Sequence, residues 1–205
     1  MNTGITFVLM WLAAALVAPL MQGMVNETYP RAVRIINEHE AGVRLRIVDN
    51  YQAPSSELNM EERVLAPGHN TTFRVSMGWA GNIQFNEARF WAWSGNEALM
   101  EATFNPAGLW MDVSYLTGWT LPMVCGCVEE GPVIGCNLDL KAINGGQCPS
   151  KGDDGNGSCI NPARGDAHRQ DEPAFFTPCR SSAYLLYWHG MQSITKAASK
   201  SELGL

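Results

Sequence analysis

The chain has 205 residues, 46% of them hydrophobic and 17% charged, with a net charge of −6 and an isoelectric point near 5.2. That much apolar material excludes a disordered chain and suffices for a real core in one domain or a little more. The acidic balance excludes nucleic acid as a partner, because phosphate binding needs clustered Lys and Arg.

Residues 4–20, GITFVLMWLAAALVAPL, carry no charge. A membrane anchor needs about 20 apolar residues. This run is shorter, starts at the N-terminus and gives way to small and polar residues. It reads as a secretory signal over residues 1–23, cleaved near Gly23. The expected location is therefore extracellular, with no membrane contact once the signal is removed. Sequons at Asn26, Asn70 and Asn156 fit a secreted glycoprotein. In that setting an even set of six cysteines defaults to disulfides.

Residues 31–51 alternate: Val33 and Ile35, then Val43, Leu45 and Ile47 after a Gly42-containing turn. This predicts a β-hairpin, with Arg34, Arg44 and Arg46 on a wet face and His39 in the turn. Residues 53–62 are polar and read as a loop. Short strands follow at 64–65, 71–75, 83–85, 89–93, 98–104 and 110–116, separated by Gly, Pro and Asn turns. Trp91 and Trp93 share one face of their segment, an arrangement commoner in cores than in sugar platforms. The run 98–104 has helix-favouring residues, but its length and flanking turns favour a strand. Glu101 then shares a face with Leu99 and Thr103, opposite Met100, Ala102 and Phe104. Many short strands without a long helix argue for an all-β sandwich or barrel.

All six cysteines fall between 125 and 179. Residues 124–180 are loop-rich, and the stretch 151–157 has no apolar side chain. Such a region relies on covalent staples. Residues 181–188 read as a returning strand and 191–205 as a polar tail. The body of the protein is thus a single domain over 24–190.

The cysteines lack the paired spacing of a zinc site, so no metal and no cofactor are expected. There is no Gly-x-Ser-x-Gly elbow. The remaining catalytic arrangement is a carboxylate pair, as glycoside hydrolysis requires. Glu101 and Asp112 each sit on a strand in otherwise apolar surroundings. If those strands pair, both acids open onto one face.

An ordered set of landmarks over roughly 33–188 resembles the thaumatin-like (osmotin-like) family. It comprises Val33-Arg-Ile-Ile-Asn37, Val64-Leu-Ala-Pro-Gly68 followed by Phe73, Arg89-Phe90-Trp91 ending in Ser94-Gly95, Met100-Glu101 through Asn105, and DVSYLTGWTLPM at 112–123. Cys136-Asn-Leu-Asp139, Gln147-Cys148-Pro149 and Cys179 with Ala183-Tyr184 continue it. The resemblance implies a β-sandwich at 31–123 beside a smaller disulfide-rich loop region, with an acidic cleft between them. It implies bridges Cys136–Cys179 and Cys148–Cys159. Cys125 and Cys127 are left to pair with each other, although a one-residue gap strains such a bridge.

In the cleft, Arg89, Glu101 and Asp112 match the family, and Trp119 keeps its aromatic position. Thr117 and either Trp188 or His189 stand where the family has Asp, so two carboxylates are missing. The shortened cysteine-rich finger resembles a compact fungal-type member. The resemblance implies a monomeric secreted protein that binds cell-wall β-glucan in a defence, antifungal or effector-like role. Binding is favoured over catalysis. The alternatives are a weak endo-β-1,3-glucanase, with Glu101 as general acid and Asp112 as its partner, and an effector acting on a protein partner.

Overall fold

A computed structural model describes residues 6–11, 31–106, 108–127, 133–149 and 152–186. The region around Gly23, the sequon at Asn26, Trp188 and His189, and the tail 191–205 lie outside these residues. The strands in chain order are β1 (Thr6–Trp11), β2 (Arg31–Ile36), β3 (Val43–Asp49), β4 (Glu62–Leu65), β5 (Asn70–Val75), β6 (Ala80–Glu87), β7 (Ala98–Asn105), β8 (Gly108–Ser114), β9 (Gly118–Trp119), β10 (Met123–Cys127), β11 (Ile134–Cys136) and β12 (Cys159–Ile160). One helical turn, α1 (Leu140–Ile143), is capped by the Asp139 carboxylate, which accepts from the Ala142 amide. The expected all-β class is what the structure shows.

Two five-stranded sheets carry the fold, in the orders β11-β10-β1-β2-β5 and β4-β3-β6-β7-β8. Pairing is antiparallel throughout both, except that β1 runs parallel to β10. Alternation in sequence becomes alternation in burial. Along β7 the residues Ala98, Met100, Ala102 and Phe104 are buried, while Leu99, Glu101 and Thr103 are half-buried. Val33, Ile35, Phe73 and Val75 of one sheet and Ile47, Ile83, Met100 and Val113 of the other belong to one buried core. Trp79 joins them, its ring 6.5 Å from Phe73 and 6.0 Å from Phe104.

The predicted hairpin over 31–51 does not form. Its two strands, β2 and β3, lie in different sheets. The segment between them is a corner built on Asn37, which is fully buried. Its amide group donates to the carbonyls of Ala41 and Leu65, and its side-chain oxygen accepts from the His39 amide. Backbone bonds Asn37 N–His69 O and Gly68 N–Asn37 O lock the corner to the turn before β5. A buried side-chain amide that satisfies a bend in this way favours crossing over pairing.

The predicted strand at 89–93 is a loop instead. Arg44, expected in water, is 4% exposed and donates to the Phe90 carbonyl at 2.8 Å. The Trp93 ring lies 4.1 Å from the Arg44 guanidinium and 4.9 Å from that of Arg46. This stacking holds the loop over the sheet, where a further strand would have nothing to pair with. Trp91 is 85% exposed and so belongs to no core. Of the returning strand, the described part contributes one bridge, Tyr184 to Ser114.

The disulfides Cys136–Cys179 and Cys148–Cys159 both form, with Cα separations of 5.5 and 5.1 Å. The expected Cys125–Cys127 bridge does not. Both residues lie on β10, which is paired on each side. Two residues of extended strand span about 6.6 Å, beyond the usual Cα separation of about 5.5–6 Å in a disulfide. Burial, with the negative charges of Asp112 and Cys127, pushes the Cys125 thiol up, so it stays neutral.

Candidate functional site

The site begins with strand register. Asn82 of β6 faces Glu101 of β7, and Glu101 faces Asp112 of β8. Three polar side chains thus form a row across neighbouring strands on one face, where directly opposite residues have Cβ atoms about 4.5–5.5 Å apart. That face is partly roofed by the cysteine-rich loops. The Asn86 amide group donates to the Asn156 carbonyl, and that of Asn96 donates to the Asp154 carboxylate. Burial pushes Asp154 up, but hydrogen bonds from Ser94, Asn156, Asn96 and Ser158 more than offset it and hold its carboxyl below the ordinary range. β9 and β12 join sheet and loops. Gly118 there permits the contact, since a Cβ would lie 2.4 Å from the Asn96 carbonyl oxygen.

Over β7 and β8 on this face lies a cleft of about 290 Å³, at the small end of ligand pockets, and no described residue of the 124–180 loops lines it, so it is not the cleft expected between sheet and loops. Glu101 and Asp112 line it, with Trp110, Tyr184, Asn50 and Leu116 among their neighbours. Both acids are half-buried. Burial raises the Glu101 pKa, and a hydrogen bond with the Ser114 side chain partly opposes that. Asp112 is pushed up to about 7, by burial first and then by the charge of Glu101. One oxygen of Asp112 and the side-chain oxygen of Asn82 are buried without hydrogen-bond partners. The row is therefore rich in acceptors and short of donors.

Three residues expected at this site are elsewhere. Arg89 has a largely exposed side chain, pairs with Glu87 at 2.8 Å and covers the Phe90 ring. Trp119 is 3% exposed and packs edge-on against Phe175 at 6.3 Å, so it is a core residue and no sugar platform. Thr117 donates its hydroxyl to the Glu97 carbonyl and holds a turn. None of the three lines the cleft. Their positions along the chain matched a pattern, but the direction of each side chain is set by the packing of β9 and the 88–97 loop.

Two aromatics take the place of Trp119. Trp110 lies two residues before Asp112 on β8, hence on the same face. Period two along the strand was the signal that could have found it. Tyr184 arrives through its bridge to Ser114, which spans 70 positions of sequence and leaves no local signal. Among the described residues no group of three or more His, Cys, Asp or Glu is placed to hold a metal. Of the sequons, Asn70 is exposed at the start of β5, whereas Asn156 is half-buried and Ser158 wholly so. No family model matches this chain, and no curated protein matches it.

Proposed function

We propose that this protein is a secreted, thaumatin-like polysaccharide-binding protein that holds cell-wall β-glucan in the cleft above β7 and β8. One observation carries the reading: two adjacent carboxyl groups share a small cleft with Trp110 and Tyr184. Sugars are held by aromatic faces and by hydroxyls donated to fixed acceptors, and the cleft supplies both. Two sheets around one core beside stapled loops are what a thaumatin-like sandwich would have. Retention on insoluble β-1,3-glucan tests the proposal. Trp110→Ala is expected to weaken binding about tenfold, or ~1.4 kcal/mol. Failure of the unmutated protein to be retained would count against glucan as the ligand.

A second reading, weak endo-β-1,3-glucanase activity, is favoured by the register of the pair. Carboxyl groups about 5–5.5 Å apart suit a retaining mechanism, and directly opposite strand positions can supply that spacing. In this reading Asp112, pushed up to about 7 chiefly by burial, would be the proton donor, with Glu101 as its partner. Release of reducing sugar from laminarin is expected to fall at least a hundredfold in Glu101→Gln. Equal release by both proteins removes Glu101 from the chemistry.

A further inference from the structure

We propose that the gap between β2 and β10 is a strand-accepting site. Residues 6–11 close it in the full chain. Once the leader is removed near Gly23, the gap takes an extended, uncharged segment of a partner polypeptide. This surface lies on the other sheet from the saccharide cleft and does not rest on that reading.

The walls of the gap are fixed without β1. On one side, β10 pairs with β11 from Met123 to Cys125, and β11 is tied down by the Cys136–Cys179 disulfide. Gly135 of β11 is seated so closely that a Cβ there would lie 2.4 Å from the Met123 carbonyl oxygen and 2.7 Å from a Val113 methyl of the other sheet. Its amide donates to the Ser182 carbonyl. On the other side, β2 pairs with β5 at six positions and runs into the Asn37 corner, whose amide group donates to the Leu65 carbonyl of the other sheet. Each wall is thus anchored to a different part of the second sheet. Closing the gap by one strand spacing, about 4.8 Å, pulls both walls off those anchors. Left open, it presents unpaired backbone groups at five positions on either side.

The seated segment defines what fits. Thr6–Trp11, TFVLMW, is uncharged and rich in strand-favouring residues. It runs parallel to β10 and antiparallel to β2, which fixes the direction of entry. Its positions 8 and 10 stand in register with Ile35 and Val33 on β2 and with Cys125 and Cys127 on β10. Val33 and Ile35 are fully buried and Cys125 nearly so. Paired positions share a face, so two alternate residues of an inserted strand must be apolar. β10 is buried at four successive positions, Met123 to Gly126, and a charged strand beside it would lose its water. Main-chain bonds supply the affinity and the two apolar positions the selectivity. A second processed copy brings the same gap and lacks residues 6–11, so the fitting strand comes from a different chain.

The test uses the full-length protein with a protease recognition sequence inserted between Gly23 and Met24, folded first and cut afterwards. The probe is a labelled peptide of residues 4–13 carrying a polar tag. The cut protein is expected to exchange its leader for the peptide on incubation just below the melting temperature. The uncut protein, whose own strand competes from the same chain, should take up about tenfold less or lower still. Peptides with Val8→Pro, which removes a ladder donor, or with Val8→Lys and Met10→Lys, which place charge at the core positions, should each bind about tenfold more weakly or worse. Peptide uptake that ignores these substitutions, or that is equal in cut and uncut protein, overturns the proposal. So does loss of the leader from the cut protein without peptide uptake, whether it stays folded or aggregates. Dimerisation of the cut protein in place of uptake also overturns it, by giving the gap to a second copy.

Discussion

A chain beginning at Met24 is expected to melt well below the full-length protein and to lose amide protection along β2 and β10. The deletion removes β1, the middle strand of its sheet, which pairs with Met123 to Cys127 on one side and Ala32 to Ile36 on the other. Both neighbours become open edges, each with a row of unpaired backbone groups. β2 and β10 run antiparallel to one another, so they could pair directly after closing by one strand spacing, about 4.8 Å. Against that closure, β2 is held by six paired positions with β5, and β10 is held by β11. The loss should exceed the roughly 0.5–3 kcal/mol of a typical point substitution. Thermal melts and hydrogen exchange of the two proteins decide the matter. Equal melting temperatures with unchanged protection in β2 and β10 would show that the sheet needs no strand from residues 6–11. The result bears on secretion too: a protein processed near Gly23 would present this slot between β2 and β10.

Asp112→Asn should make the protein more stable at pH 8 and leave its stability nearly unchanged at pH 3. The folded-state pKa of Asp112 is raised from 3.8 to about 7, and that of Glu101 is raised as well. An acid whose pKa is higher in the folded state contributes stability that is complete below its unfolded pKa. That contribution is lost as pH rises through the folded value. At pH 8 the native protein therefore carries two adjacent charges that unfolding would separate. Asn keeps the shape and removes one charge. Because the pair is half-buried and partly screened by solvent, the gain is about 2 kcal/mol, or roughly 4–8 °C for a chain of this size. Melting curves at the two pH values measure it. A variant that melts at or below the parent temperature at pH 8 would mean that the pair is not strained by its charges. Asp154 acts in the opposite sense. Its lowered pKa gives a contribution present above the ordinary carboxylate range and lost in acid, so the loops loosen at low pH while the cleft relaxes.

Sequence alone carried the strand assignments at 64–65, 71–75, 83–85 and 98–104, and the face on which Glu101 lies, because both depend on local alternation. It also marked Glu101 and Asp112 as acids embedded in apolar strands. Reading Trp119 and Arg89 into the cleft followed position along the chain, and position does not fix direction. Trp119 points into the core against Phe175, whereas Trp110, bound to Asp112 by the two-residue repeat of one strand, reaches the cleft. The hairpin expected over 31–51 failed for a related reason. Alternation told which side chains are buried but not which strand lies alongside, and the buried amide of Asn37 sends the chain into the other sheet.

What the sequence by itself determined was periodic, strand against loop and inward against outward, beside the uncharged run at residues 4–20, which reads as a leader. Tertiary structure alone decided which edges meet. It set Asp112 opposite Glu101, seated residues 6–11 between β2 and β10, and carried Tyr184 to Ser114. The physical reason is that burial preference is written residue by residue in side-chain chemistry. Backbone hydrogen-bonding groups are nearly the same in every strand, so the choice of neighbour rests on how distant segments fit around one shared core.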